Sequence, residues 1–227
     1  MYHSICEHIG KEKHNKWRVK PKDFEKQMKW FYDNKWNSFT ISELIKLDEI
    51  PKKSFVVTFD DGYEDNFINA FPILKKYNFK ATIYLVPNQS INHWEEKNTS
   101  VLSNLLNNEQ ILQMQNTGLI EFGSHTLSHV NLSTINDEQL LIELKKSKEE
   151  IEKITRKECE AFAYPYGKFD DKIIQAVEEI GYKNATVVKR GLFEKNDNPF
   201  IIKRIGILGT ESFVDFLLKV TRIRNKL

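Results

Sequence analysis

Ser54-Phe55-Val56-Val57-Thr58-Phe59-Asp60-Asp61-Gly62 carries an almost unbroken apolar run into two carboxylates and a glycine. A run without alternation predicts a strand buried on both faces, as in a parallel sheet. A second run, 119–123, leads in the same way into His125-Thr126-Leu127-Ser128-His129. Carboxylates and imidazoles gathered past strand ends are the usual ligands of a catalytic divalent metal.

Outward from these runs the chain alternates short β-branched or aromatic stretches with longer amphipathic ones. Strands are predicted over 81–86, 159–164, 183–188 and 201–207. A helix over 64–77 places Phe67, Phe71 and Leu74 on one face, with Pro72 forcing a kink or restart. The segment 109–116 reads as a short helix that Gly118 can close. The clearest helix is 137–154, with Leu140, Leu144, Ser147 and Ile151 on one face and lysine and glutamate opposite. Helices over 170–180, closed by Gly181, and over 212–222 complete the pattern.

Repeated strand–helix units predict an α/β fold with parallel strands inside and helices outside, either a barrel or a doubly wound sheet. Asp60, Asp61, His125 and the Tyr164-Pro165-Tyr166-Gly167 turn all fall just past strand C-terminal ends, where (β/α) barrels gather their chemistry. A distorted (β/α) barrel is therefore expected, with 1–227 as one domain. Residues 88–108 read as a mobile polar insertion.

Composition bounds the partners. With 227 residues and 40% hydrophobic content the chain can bury a large core, and 34 basic against 32 acidic residues argue against nucleic acid. Cys6 and Cys159 lack metal-type spacing and read as reduced core residues. No apolar run is long enough to span a membrane, and the N-terminus lacks a signal-peptide pattern. As given, the sequence reads as cytoplasmic, or as extracytoplasmic if a leader has been removed. Basic residues over 219–226 offer a weak contact with anionic lipid, against the simpler reading of a solvated helix end. Trp17, Trp30 and Trp36, lying among lysines, read as core packing.

Adjacent strand residues face opposite ways, but beside Gly62 both aspartates can approach one site, one as ligand and one as base. The plainer alternative is an Asp-Gly turn with two solvated carboxylates. On a helical turn the four-residue spacing of His125 and His129 puts both rings on one face, with Ser124, Thr126 and Ser128 available to orient them. Taken alone, the pair also fits surface or capping histidines.

Together, Thr58-Phe59-Asp60-Asp61-Gly62, His125-Thr126-Leu127-Ser128-His129 and Ala163-Tyr164-Pro165-Tyr166-Gly167 resemble, in order and spacing, the first three motifs of the NodB-type polysaccharide deacetylases, carbohydrate esterase family four. The resemblance implies the family's barrel, an N-acetylated glycan substrate, and a divalent metal, most often zinc and otherwise cobalt, iron or nickel. It implies Asp61, His125 and His129 as metal ligands, Asp60 as general base, and Tyr166 N–H, on the Pro165 turn, as oxyanion donor. Two departures stand out: Ala163 occupies the place of the usual arginine, and no histidine follows His129. Met1-Tyr2-His3-Ser4-Ile5 resembles the opening of the circularly permuted poly-N-acetylglucosamine deacetylase branch, which implies His3 as general acid. Arg204 is the candidate to replace the arginine, against a solvated strand-end residue. Tyr63, Tyr164, Tyr166 and Trp94 are aromatic and close enough to the loops to stack on sugars. Three functions follow: glycan N-deacetylase, deacylase of a lipid-linked or nucleotide-linked sugar precursor, or a silent glycan-binding protein. His8, His14 and His93 receive no role.

Overall fold

The structure, a computed structural model, describes residues 1–221. Five parallel strands run in the spatial order of the chain: β3 (Val57–Phe59), β4 (Ala81–Leu85), β5 (Ile120–Ser124), β6 (Ala161–Ala163) and β7 (Asn184–Thr186). A short pair, β1 (Asn37–Ser38) with β2 (Ser54–Phe55), lies apart from that sheet. Helices α1 (Pro21–Asp33), α2 (Ile41–Lys46), α3 (Phe71–Tyr77), α4 (Asn108–Gln115), α5 (Asp137–Thr155), α6 (Asp171–Ile180) and α7 (Phe213–Val220) complete the regular elements.

The two margins of the sheet are drawn together by extended segments. Tyr2 bridges Phe59 in parallel, and Ile202 bridges Thr186 in the same sense. Ile207 N–H then donates to Met1 O at 3.0 Å, linking the two segments. The result is a distorted (β/α) barrel, as expected. The single strand expected over 54–59 is split: Ser54 and Phe55 pair with β1, and from Val57 the chain pairs with β4. The strand expected over 201–207 is reduced to the bridge at Ile202 and isolated hydrogen bonds.

Burial by alternate residues explains the layers. Phe59, Ile83, Phe122 and Phe162 belong to the main core, together with helix residues such as Leu74, Leu144 and Val177. Tyr84, Ala161, Ala163, Ile202 and Ile41 form a second cluster. Small residues let that interior close around Tyr84. A Cβ on Gly123 would lie 2.7 Å from both Ala161 O and a Tyr84 ring carbon. Gly123→Ala is therefore expected to cost about 1–3 kcal/mol, read as a lower thermal midpoint.

Local signals set the helix ends. Asn136 and Gln139 form a reciprocal capping box on α5, and Asn107 with Gln110 forms one on α4. Gly181 closes α6 at φ 101°, a conformation that favours glycine. The helix expected over 64–77 is a π-helical turn, Asn66–Ala70, followed by α3, which restarts around Pro72. Trp30 and Trp36 join the core around Phe31 and Phe55, whose rings stack at 4.1 Å. Both cysteines are free; Cys159 is buried, whereas Cys6 is only half-buried. Among the described residues no helix is long and apolar enough to cross a membrane. Residues 222–226 of the basic stretch lie outside the described residues; Lys219 itself is buried and bonds Gly206 O.

Candidate active site

At the C-terminal end of β3 the chain turns sharply. Asp61 and Gly62 both take left-handed conformations, φ 74° and 71°. Asp60 and Asp61 thereby part company. The Asp60 carboxylate is held in a two-pronged pair, Oδ1 to Arg204 NH1 at 2.6 Å and Oδ2 to NH2 at 2.8 Å. Arg204 also donates to Val187 O and Thr58 Oγ1, and its guanidinium lies 5.6 Å from the Tyr84 ring centroid. Ala163 packs in the cluster that contains Tyr84, so the interior has an alanine where the sequence motif suggested an arginine, and Arg204 grips Asp60 instead. Burial alone would raise the Asp60 pKa, but Arg204, His125 and His3 together hold it below the ordinary carboxylate range.

Asp61 faces the histidines. Its Oδ1 lies 3.2 Å from His129 Nε2 and 3.5 Å from His125 Nε2, yet it is buried and hydrogen-bonds neither. His125 Nδ1 lies 2.7 Å from Ala163 O, and since a carbonyl only accepts, Nδ1 carries the proton. Burial pushes the His125 pKa down to about 4, so near neutral pH the ring is uncharged and Nε2 presents a bare lone pair to a carboxylate oxygen. Buried electron-pair donors turned toward one another are unfavourable unless a cation sits among them. One ligand atom from each of Asp61, His125 and His129 lies within 4.8 Å of the others, so this donor set fits a divalent ion.

The histidine segment is a loop past the end of β5, without the helical turn on which the four-residue spacing would put both rings on one face. Thr126 and His129 are left-handed, φ 68° and 56°, and the segment is irregular. Nor do the small hydroxyls orient the rings: Ser124 bonds Ser147, and Ser128 bonds Glu143. Glu143, on α5, also accepts from Leu127 and Ser128 N–H at 2.9 and 3.0 Å, pinning the loop. His129 is instead fixed by Tyr166 OH, 3.2 Å from Nδ1, and by the Trp94 ring, stacked at 4.5 Å. Glu143 gave no signal in sequence, because its helical face looked merely solvated.

Around this centre the other candidates separate. His3 lies on the extended segment beside β3, its ring 4.5 Å from that of Trp17, so Trp17 is half-buried against His3 rather than packed in the core. Burial pushes the His3 pKa below the ordinary imidazole value, an effect that Asp61 and Asp60 offset only in part. Tyr166, at φ 58°, is 52% exposed and offers a face at the mouth. Tyr164 is fully buried, donating to Phe200 O, and Tyr63 is 2% exposed, accepting from Asn92. Neither can stack on a ligand: Tyr164 fills the core, and Tyr63 fastens the 88–108 segment, bridging Leu105. Pro165 is buried in the turn before Tyr166. The segment expected to be a mobile insertion is laced down further by an Ile91–Asn104 bridge and by Arg18 to Thr99, which brings Trp94 over His129.

The polysaccharide deacetylase family profile matches residues 48–185. A putative polysaccharide deacetylase of Bacillus subtilis, YxkH, is 31% identical over 211 residues, spanning 91% of this chain and 70% of that protein. A poly-β-1,6-N-acetyl-D-glucosamine N-deacetylase of Staphylococcus aureus is 31% identical over 198 residues, 82% of this chain and 67% of its own. A crystal structure of a polysaccharide deacetylase from Bacillus cereus superposes with a TM-score of 0.81 at 32% identity, covering 96% of this chain and 67% of that one.

Proposed function

Because this chain belongs to the polysaccharide deacetylase family and is a carbohydrate N-deacetylase, we propose that its substrate is a glycan containing N-acetylhexosamine and that it works with a divalent ion held by Asp61, His125 and His129. The observation that carries this reading is the pairing, past one strand end, of a buried donor set with a separately held carboxylate, Asp60 on Arg204. The substrate named for the Staphylococcus aureus relative supports a poly-N-acetylglucosamine chain. Zinc is the proposed ion, although cobalt, iron or nickel suits the same ligands.

Bound there, such an ion supplies Lewis acidity to the acetyl carbonyl and lowers the pKa of a water. Asp60, ionised and oriented by Arg204, takes the proton of the attacking water. The N–H of Tyr166, on the Pro165 turn, is assigned to the oxyanion that develops on the acetyl oxygen. As the C–N bond breaks, His3 passes its proton to the departing amine. The exposed Tyr166 ring offers a stacking face for a sugar.

Ala163 and the unusual position of the acid favour a silent binding protein, and Arg204 in contact with Asp60 weighs against the first of these. Purified protein is expected to carry about one transition-metal ion per chain, with chelation abolishing acetate release from N-acetylglucosamine oligomers and metal restoring it. Metal-loaded protein that binds oligomers but frees no acetate would establish the binding-only alternative.

A further inference from the structure

His3 sits where a strand should be poorly held. Tyr2 makes both ladder bonds to β3, its N–H to Thr58 O at 2.8 Å and its C=O from Asp60 N–H at 3.1 Å. Beyond Asp60 the left-handed turn at Asp61 carries β3 away, so the ladder stops just as His3 begins. Ser4 finds new backbone partners across the chain, its N–H donating to Trp17 O at 3.2 Å and its C=O accepting from Val19 N–H at 3.0 Å in a parallel bridge to Arg18, but His3 O and both backbone groups of Ile5 still need partners.

Three side chains from the turn after the Asp-Asp-Gly motif supply them. Asn66 donates to His3 O at 2.9 Å, and Asn69 donates to Ile5 O at 2.8 Å. Asp65 accepts Ile5 N–H on Oδ1 at 2.8 Å and the Ser4 hydroxyl on Oδ2 at 2.5 Å. Asn66 is fully buried and also braces Asp65. All three residues lie in or beside the π-helical turn Asn66–Ala70, a local winding that costs stability and is common at functional sites.

We propose that Asp65, backed by Asn66 and Asn69, is the positioning residue for the His3 imidazole, a side-chain clasp on His3 O, the Ser4 hydroxyl and the Ile5 backbone that works beside the Ser4–Arg18 bridge. The proposal rests on His3 being the general acid. The same turn therefore carries Asp60 and Asp61 at one end and the clasp for His3 at the other, so base, ligand and acid share one rigid support. The clasp uses both carboxyl oxygens of Asp65 as acceptors, and burial pushes this carboxyl up to about 6. An asparagine at 65 can still accept from Ile5 N–H and donate to the Ser4 oxygen.

The test compares leaving groups. Departure of a sugar amine requires a proton, whereas 4-nitrophenolate leaves without one. Metal-loaded Asp65→Ala, Asp65→Asn, Ser4→Ala and His3→Ala enzymes are assayed on N-acetylglucosamine oligomers and on 4-nitrophenyl acetate, with metal content and thermal midpoint checked for each. Expected are losses of about 100-fold in kcat on the oligomers for Asp65→Ala and His3→Ala at unchanged KM, against less than about threefold on the ester. Asp65→Asn should keep most of its oligomer turnover. If His3→Ala shows this selective loss and Asp65→Ala does not, the clasp is refuted while the acid assignment stands. Equal losses on both substrates for Asp65→Ala also refute it, since they would report general loosening. If His3→Ala itself is unselective, the acid assignment fails and the clasp falls with it. Should Asp65→Ala not fold, Ser4→Ala, which removes one donor only, must show a smaller loss of the same selectivity, and an unselective result there counts against the clasp.

Discussion

Asp60→Asn is expected to lower kcat for acetate release about a thousandfold, within the range of about 10²–10⁴ that general-base removal costs, while metal content stays at one equivalent. The split is the informative part. Asp60 contributes no atom to the group formed by Asp61, His125 and His129, so losing its charge should spare the ion. It is also ionised across the neutral range, because the Arg204 guanidinium bonded to both of its oxygens outweighs the effect of burial. Asparagine cannot take a proton at that position. Its amide also sets an NH2 group against one guanidinium N–H, now donating at 2.8 Å to Oδ2, so a stability loss of about 1–3 kcal/mol should accompany the kinetic one. Kinetics are therefore to be measured well below the variant's own midpoint. A variant with near-normal turnover would remove Asp60 from the chemistry, and loss of metal would mean that Asp60 shares in holding the ion.

The contrast between those two neighbouring aspartates was legible in sequence only as a possibility. Strand alternation and Gly62 showed that both could reach one site, and the motif order supplied the roles. The fold was legible for the same local reason: uninterrupted apolar runs mark strands buried on both faces, and 3.6-residue spacing marks α5 and α6. What escaped depends on groups distant in sequence. The histidine loop reads as a helical turn if only its spacing is considered, but its shape is set by Glu143, which accepts its N–H groups from α5. Tyr63 and Tyr164 looked like sugar platforms by position, yet burial decides such a role, and no local pattern encodes it. Likewise 54–59 looked like one strand, because nothing in the run itself says that its pairing changes partner after Phe55.

A common device emerges from those long-range groups. Left-handed turns at Asp61, Thr126 and His129 break regular hydrogen bonding at the strand ends, which frees the side chains to converge and leaves nearby backbone groups in need of partners. Carboxylates supply them: Glu143 for the histidine loop, Asp65 for residues 3–5. Conformations that would be costly in isolation are thereby held by side-chain acceptors on an adjoining helix or turn.

Arg204→Met should destabilise the protein by about 3–5 kcal/mol at neutral pH, because it strands the Asp60 carboxylate in the interior. Chelator is kept present so that metal binding does not add to the apparent stability. The pH dependence fixes the interpretation. In the native protein the Asp60 pKa is depressed, so its ionised form contributes stability above the ordinary carboxylate pKa, and that contribution is lost as pH falls through the lower, folded value. Without Arg204, burial dominates and raises the same pKa, so the variant's penalty is full at neutral pH and shrinks on acidification as Asp60 takes up a proton. The gap between the two proteins should therefore narrow from pH 7 toward pH 4. Combining Arg204→Met with Asp60→Asn removes both charges and should recover much of the loss, giving a coupling energy well outside the additive range. A gap that stays constant with pH, or a double variant no better than the sum of the singles, would assign the arginine's contribution to packing against Tyr84 instead of to the Asp60 charge.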